Sequence, residues 1–206
     1  DTTMTPPNIF NARKAGIHIE VVSSTKIISG GATSLGGIIA DYGMYDWSHN
    51  PKLRELAQTF GYFSFNAKLR KEVYRNLGAS LSPFHAYLQS LGMETLTLRY
   101  NKSTETTARM ATFFETVEKV ITVNYPGLTS SLFHKIGVEH FGINPGSLLT
   151  FNLISRDACF VFLNKLTVIK RATNICDNRT LILHPASTIY CDYNPEVRLE
   201  QGIPDT

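Results

Sequence analysis

Cysteine is scarce. Cys159, Cys176 and Cys191 are the only three in 206 residues, and their spacing matches no metal-ligand pattern. That leaves reduced thiols in a cytoplasmic compartment as the expectation. Charge of one sign is also thin: the formal net charge is +3, scattered and without a basic stripe, so no nucleic-acid partner is expected. No apolar run approaches the length of a membrane span, and no charged-then-apolar signal segment opens the chain. No membrane partner is expected, and the triplets Asn101-Lys102-Ser103 and Asn178-Arg179-Thr180 read as chance matches to a glycosylation acceptor. Internal repeats and low-complexity tracts are missing. An initiator methionine is missing too: the chain opens at Asp1 and stops at Pro204-Asp205-Thr206 without a finishing element, which reads as a piece of a longer protein.

What is there is globular. Apolar residues make up 43% and charged residues 18%, a balance that buries a core in a chain of this length. Pro6 and Pro7 put the opening in a turn or loop, and residues 8–14 read as a short helix ending near Gly16. Residues 17–22 alternate as a strand, and 35–40 read as a second, buried one. Helical patches follow at 51–57 and 68–76. Ser82-Pro83 has the form of an N-cap with proline at the first helical position, opening a long helical stretch to about Lys119 with a kink or break at Gly92. Strands are expected at 120–125, 148–153, 168–169 and 181–183, and helices at 158–166 and 195–201. Strands and helices alternate, which argues for α/β or α+β layers. The best boundary lies near residues 98–103.

The stretch with chemical content is Val22-Ser23-Ser24-Thr25-Lys26-Ile27-Ile28-Ser29-Gly30-Gly31. It places an amine beside several hydroxyls at a strand end, where α/β folds commonly put ligands. Hydroxyls suit a phosphate, and a desolvated lysine can attack an aldehyde. The glycine run that follows has no Gly-Lys-Ser/Thr, so it is not a nucleotide P-loop. No Gly-x-Ser-x-Gly elbow accompanies His184 and Ser187, so a hydrolase pair is not indicated. His85 and His140 have no ligand spacing.

As a string, Ser-x-Thr-Lys before a Gly-Gly loop resembles the cofactor-lysine motif of the pyridoxal-phosphate enzymes of cysteine and methionine metabolism. The resemblance runs nearly end to end. Asp1-Thr2-Thr3 is similar to the family's Asp-Asn-Thr segment, 25 positions before Lys26 as in the family. The blocks Asn76 to Leu88, Glu94-Thr95-Leu96 with Leu98-Arg99, Tyr125-Pro126-Gly127-Leu128 and His184-Pro185-Ala186-Ser187-Thr188 follow in family order. The branch most resembled is O-acetylhomoserine sulfhydrylase, also called O-acetylhomoserine (thiol)-lyase. Departures are Gly31 where many relatives have histidine, Cys176 for a usual glycine, Tyr190 for a histidine, and 101–106, which lose an Arg-His and Asn pattern.

The resemblance implies a type I pyridoxal-phosphate-dependent transferase fold, α/β and aspartate-aminotransferase-like. Residues 1–98 would be the C-terminal part of the large cofactor-binding domain and 99–206 most of the small C-terminal domain. It implies pyridoxal 5'-phosphate as cofactor, held by Lys26 through its aldehyde, by Ser23 and Thr25 through its phosphate and by Asp1 through its ring nitrogen. Lys26 would also be catalytic, and Asn174, in Arg171 to Asp177, would contact the substrate carboxylate. The implied reaction is γ-replacement on O-acetylhomoserine by sulfide or a thiol, in a cytoplasmic homo-oligomer, dimer or tetramer. The implied alternatives are the methionine γ-lyase or cystathionine γ-synthase branches, or a non-catalytic oligomerisation or interaction module of the same fold. Parts that the chemistry needs come from the family's N-terminal half and from just beyond Thr206, so these residues alone are expected to be nearly inactive.

Overall fold

β-branched residues open the ordered structure: Ile19–Val22 (β1) pairs antiparallel with Ile38–Asp41 (β2), placing Val21 opposite Ile39 and Ile19 opposite Asp41. The computed structural model describes residues 1–206. The chain divides into two compact units, Asp1–Leu96 and Thr97–Thr206. No helix is long and apolar enough to cross a membrane.

In the first unit the opening residues form successive turns, not the helix expected over 8–14. Pro6 O accepts from Ile9 N at 2.9 Å, and the Asn11 side chain accepts from Lys14 N at 2.9 Å. A short polar side chain bonding its own neighbourhood offers the backbone an alternative to helix, and here it wins. The second strand begins three residues later than expected, because Gly36 is drawn into the turn after β1. Beyond β2 lie Arg54–Phe60 (α1), Ser64–Lys68 (α2) and Arg75–Leu77 (α3). A π-helical segment, Leu69–Tyr74, joins the last two, where the sequence reads as ordinary helix. Gly78 ends that run in the left-handed region, φ 65°, a conformation that costs glycine nothing.

Pro83–Glu94 (α4) starts as expected, with Ser82 accepting from His85 N and proline in the first turn. The break in the long helical stretch falls at Thr95, not Gly92, and Leu96–Glu115 (α5) resumes after it. Gly92 lies inside α4 for another reason, given below.

In the second unit, Tyr100, Thr104, Thr107 and Ala111 line one buried stripe of α5 at helical spacing. Ala111 packs with Tyr125 and Leu128 in a core joined by Ala108, Val123 and Leu149. Val120–Asn124 (β3) and Thr150–Leu153 (β4) pair antiparallel with a bulge between Val120 and Thr122. Between them runs His134–Phe141 (α6), a helix not anticipated from the pattern, closed by Gly142 at φ 84°. Arg156–Lys165 (α7) is capped by Ser155, which accepts from Ala158 N at 3.2 Å. Phe151 of β4 stands edge-on to Phe162 of α7, centroids 5.7 Å apart. Lys170–Arg171 (β5) and Leu181–Ile182 (β6) form a short parallel pair, so the strand expected at 168–169 forms just after it. Pro195–Glu200 (α8) closes the unit, capped by Asn194.

Candidate functional site

The residues after β1 form one tight turn. Lys26 N donates to Ser23 O (3.2 Å), Ser29 N to Ser24 O (3.0 Å) and Gly30 N to Lys26 O (3.1 Å). The Ser29 hydroxyl donates to Thr25 O at 2.7 Å, closing the turn from inside. Its neighbours point into the unit: Ser24 is 0% exposed, Ile27 3% and Ile28 4%. Lys26 itself is only half-buried. Two buried isoleucines thus anchor the turn on which the half-buried Lys26 stands.

α4 seals the back of this turn. A Cβ on Gly36 would lie 2.7 Å from Ser24 Oγ and 2.5 Å from Gln89 Nε2. The buried Gln89 amide donates to Ser34 Oγ at 3.1 Å. Nothing in the local pattern marks Gln89 or Ser34 as partners, because they are 55 positions apart.

The expected cofactor residues have distinct surroundings. The Thr25 hydroxyl accepts from Gly36 N at 2.9 Å and donates to Gly36 O at 3.3 Å, so the fold already uses it to staple the turn. Ser23 is half-buried, and its backbone N–H donates to Thr3 Oγ1 at 2.9 Å. Thr2 N donates to Val21 O at 3.1 Å. The opening residues therefore lie along the end of β1, which brings Asp1 to the strand end that carries Ser23. Asp1 is exposed, and its Oδ1 accepts from Thr3 N at 2.8 Å. Glu20, unremarked in the sequence, is 5% exposed and takes hydroxyl hydrogens from Thr2 and Tyr42. The bond to that carboxylate raises the Tyr42 pKa.

Asn174 belongs to the second unit, whereas Asp1, Ser23, Thr25 and Lys26 belong to the first. Its amide donates to Asp177 Oδ2 at 3.1 Å. Arg179 grips both oxygens of Asp177, at 2.9 and 3.1 Å, and this pairing pulls the Asp177 pKa down to about 2. Cys176, in the same loop, has a positive φ of 55°, the conformation in which glycine is at ease. His184 is buried, bonded through Nδ1 to Ser187 Oγ (2.9 Å) and through Nε2 to the carbonyl of Asp205 (3.1 Å). Arg198, 7% exposed, donates to Ala186 O at 2.8 Å and pairs with Asp205 at 3.0 Å. That set ties the signature turn to the last residues and is structural.

The mixed α/β architecture is that of the type I pyridoxal-phosphate enzymes, matched over about half of their chains. The chain belongs to the Cys/Met metabolism PLP-dependent enzyme family, whose model matches residues 1–206. An O-acetyl-L-homoserine sulfhydrylase of Thermus thermophilus is 35% identical over 200 residues, 91% of this chain and 48% of that protein. A homocysteine synthase of Schizosaccharomyces pombe is 30% identical over 91% of this chain and 47% of its own. Among solved structures, an O-acetylhomoserine sulfhydrylase of Wolinella succinogenes superposes with a TM-score of 0.81 at 45% identity, covering 90% of this chain and 53% of that one. A Campylobacter jejuni protein assigned as an O-acetylhomoserine (thiol)-lyase, with a pyridoxyl-lysine monophosphate, reaches 0.88 at 29% identity, covering 100% and 52%. The chain spans about half the length of the relatives it matches.

Proposed function

We propose that this chain serves in a pyridoxal-phosphate-dependent enzyme that exchanges the γ-substituent of O-acetylhomoserine. Sulfide or methanethiol enters, acetate leaves, and homocysteine or methionine results. The observation that supports it best is the turn after β1: one half-buried amine on an anchored backbone, with the Ser23 and Thr25 hydroxyls beside it and Asp1 led to the same strand end.

That donor set suits the cofactor. Lys26 would hold its aldehyde carbon, Ser23 and Thr25 its phosphate, and Asp1 its ring nitrogen through a charge-assisted hydrogen bond. When bound, the cofactor supplies an electron sink for negative charge developing at the substrate Cα. Lys26 then moves the proton at Cα, a role that asks for an amine positioned by a rigid support. Thr25 can go on accepting from Gly36 N while its own proton turns from Gly36 O to a phosphate oxygen. Asp177 fixes the Asn174 amide, the group we assign to the substrate carboxylate. In this reading residues 1–98 complete a large domain and 99–206 form most of a small one.

The test is reduction with borohydride in excess pyridoxal phosphate, followed by peptide mapping. A pyridoxyl group on Lys26, lost in Lys26→Ala, supports the assignment. Repeated absence of label favours a non-catalytic module of the same fold, a second reading that the commitment of Thr25 to Gly36 keeps in play. Assays of a full-length protein containing this sequence with O-acetylhomoserine, O-succinylhomoserine and methionine distinguish the sulfhydrylase reading from the cystathionine γ-synthase and methionine γ-lyase readings. These 206 residues alone are expected to turn over O-acetylhomoserine barely at all, and an enzyme-like rate would refute that expectation.

A further inference from the structure

A cavity of about 590 Å³ opens between β2 and the helical run 64–77, in the range of small-molecule sites. Its lining includes Ile39 and Asp41 from the strand, and Phe65, Arg70, Tyr74 and Arg75 from the helical run. The π-helical segment explains how both arginines reach it. In an α-helix, residues five apart point roughly 140° away from each other. The i→i+5 bonding of a π-helix brings them round to the same side, and such segments occur frequently at functional sites. Arg70 lies inside that segment and Arg75 directly follows it, five residues on, and both guanidinium-bearing residues line the cavity. Neither takes part in any of the ion pairs of the chain.

The strand side supplies the opposite charge. Asp41 Oδ1 accepts from Gly43 N at 3.0 Å, but Oδ2 is buried and has no partner. A buried carboxylate oxygen without a donor is costly. Asp41 lines the cavity, so its carboxylate is the acceptor that the strand side offers. The same cavity has apolar lining in Ile39 and Phe65, and Phe65 is stacked on the buried Trp47 at 5.2 Å and 13°.

We propose that this cavity binds a zwitterionic α-amino acid with an apolar side chain. The ammonium meets Asp41, the carboxylate meets Arg70 and Arg75, and the side chain lies over Ile39 and Phe65. A simple anion leaves Asp41 unpaired, and a simple amine leaves the arginines unpaired, so the two ends together select the zwitterion. The cavity shares no lining residue with the Lys26 turn.

The experiment is calorimetric and NMR titration of the 206-residue chain with L-phenylalanine, 2-phenylethylamine and 3-phenylpropionate as probes. L-Phenylalanine is expected to bind saturably and at least roughly tenfold more tightly than either probe lacking one charge. Asp41→Asn is expected to remove the preference over 3-phenylpropionate, and Arg70→Gln with Arg75→Gln the preference over 2-phenylethylamine. Unfolding midpoints of the variants confirm that they fold, and because Asp41→Asn keeps the shape and Oδ1, it separates recognition from folding. No saturable binding of L-phenylalanine up to about 10 mM, equal binding of all three probes, or unchanged preferences in the folded variants would overturn the proposal.

Discussion

Gly92 presses against the backbone of Ile28: a Cβ at position 92 would lie 2.4 Å from the Ile28 carbonyl oxygen and 2.6 Å from that of Ser29. Helix α4 can approach the Lys26 turn this closely only because residue 92 has no side chain. Backbone on both sides cannot step aside as a flexible side chain would. Gly92→Ala should therefore cost about 1–3 kcal/mol, the range for forcing a methyl into a packed interior. Denaturant unfolding measures the cost, and borohydride labelling measures the accompanying loss of pyridoxyl on Lys26. A stable variant with undiminished labelling would show that the contact is unimportant.

Thr25 staples the same turn to Gly36 through both halves of its hydroxyl. Thr25→Val keeps the shape but leaves Gly36 N without that acceptor, for an expected loss of about 1–3 kcal/mol. Thr25→Ser should stay within about 0.5 kcal/mol of the parent. Equal stabilities of Val and Ser variants by urea titration would remove the hydroxyl from the account.

Asp177 gives a pH dependence with a definite sign. Its pKa is about 2 in the folded chain, held down first by the side-chain bond from Arg179, against about 3.9 when unfolded. The stabilisation is present above about pH 4 and is lost as the pH falls through the folded pKa. Arg179 is 68% exposed on its side chain, so solvent screens the pair and the effect on overall stability is modest. Arg179→Gln is expected to return the Asp177 titration towards the ordinary carboxylate range, read by carboxyl NMR. An unmoved titration would contradict this assignment.

Tyr125 sets the alkaline limb. It is 1% exposed, and burial pushes its pKa up to about 12, against about 10 in the unfolded chain. A raised folded pKa means that the contribution is complete below about pH 10 and is lost as the pH rises towards 12, on the order of 2 kcal/mol in all. Tyr125→Phe should flatten that slope. At neutral pH it forfeits only the 3.3 Å bond to Gly146 O, about 1 kcal/mol. A slope that survives the substitution would assign it to another group.

Capping chemistry was legible in the sequence because it is local. Ser82-Pro83 opens α4, and the last helix starts at Pro195, since an N-cap oxygen and a preset proline φ act within one turn. The turn after residues 17–22 was also readable, since β-branched alternation ends where serine and threonine begin. The inward face of β1 was not. Glu20 is buried while Val21 is 47% exposed, the reverse of what hydrophobicity alone would place. Thr2 and Tyr42 make the difference by donating to the carboxylate, and they stand 18 and 22 positions away.

By itself, then, the sequence determined where β1 ends, how α4 is capped and the run of hydroxyls around Lys26, because each depends on residues only a few positions apart. Tertiary structure decided which groups are already occupied: Thr25 by Gly36, Ser34 by Gln89, Glu20 by two hydroxyls. It also decided why residue 92 must be glycine and how Asp41 comes to share a cavity with Arg70 and Arg75. Those outcomes rest on contacts between segments remote in the chain, made or missed according to how a whole unit packs, and no local pattern of residue types encodes them.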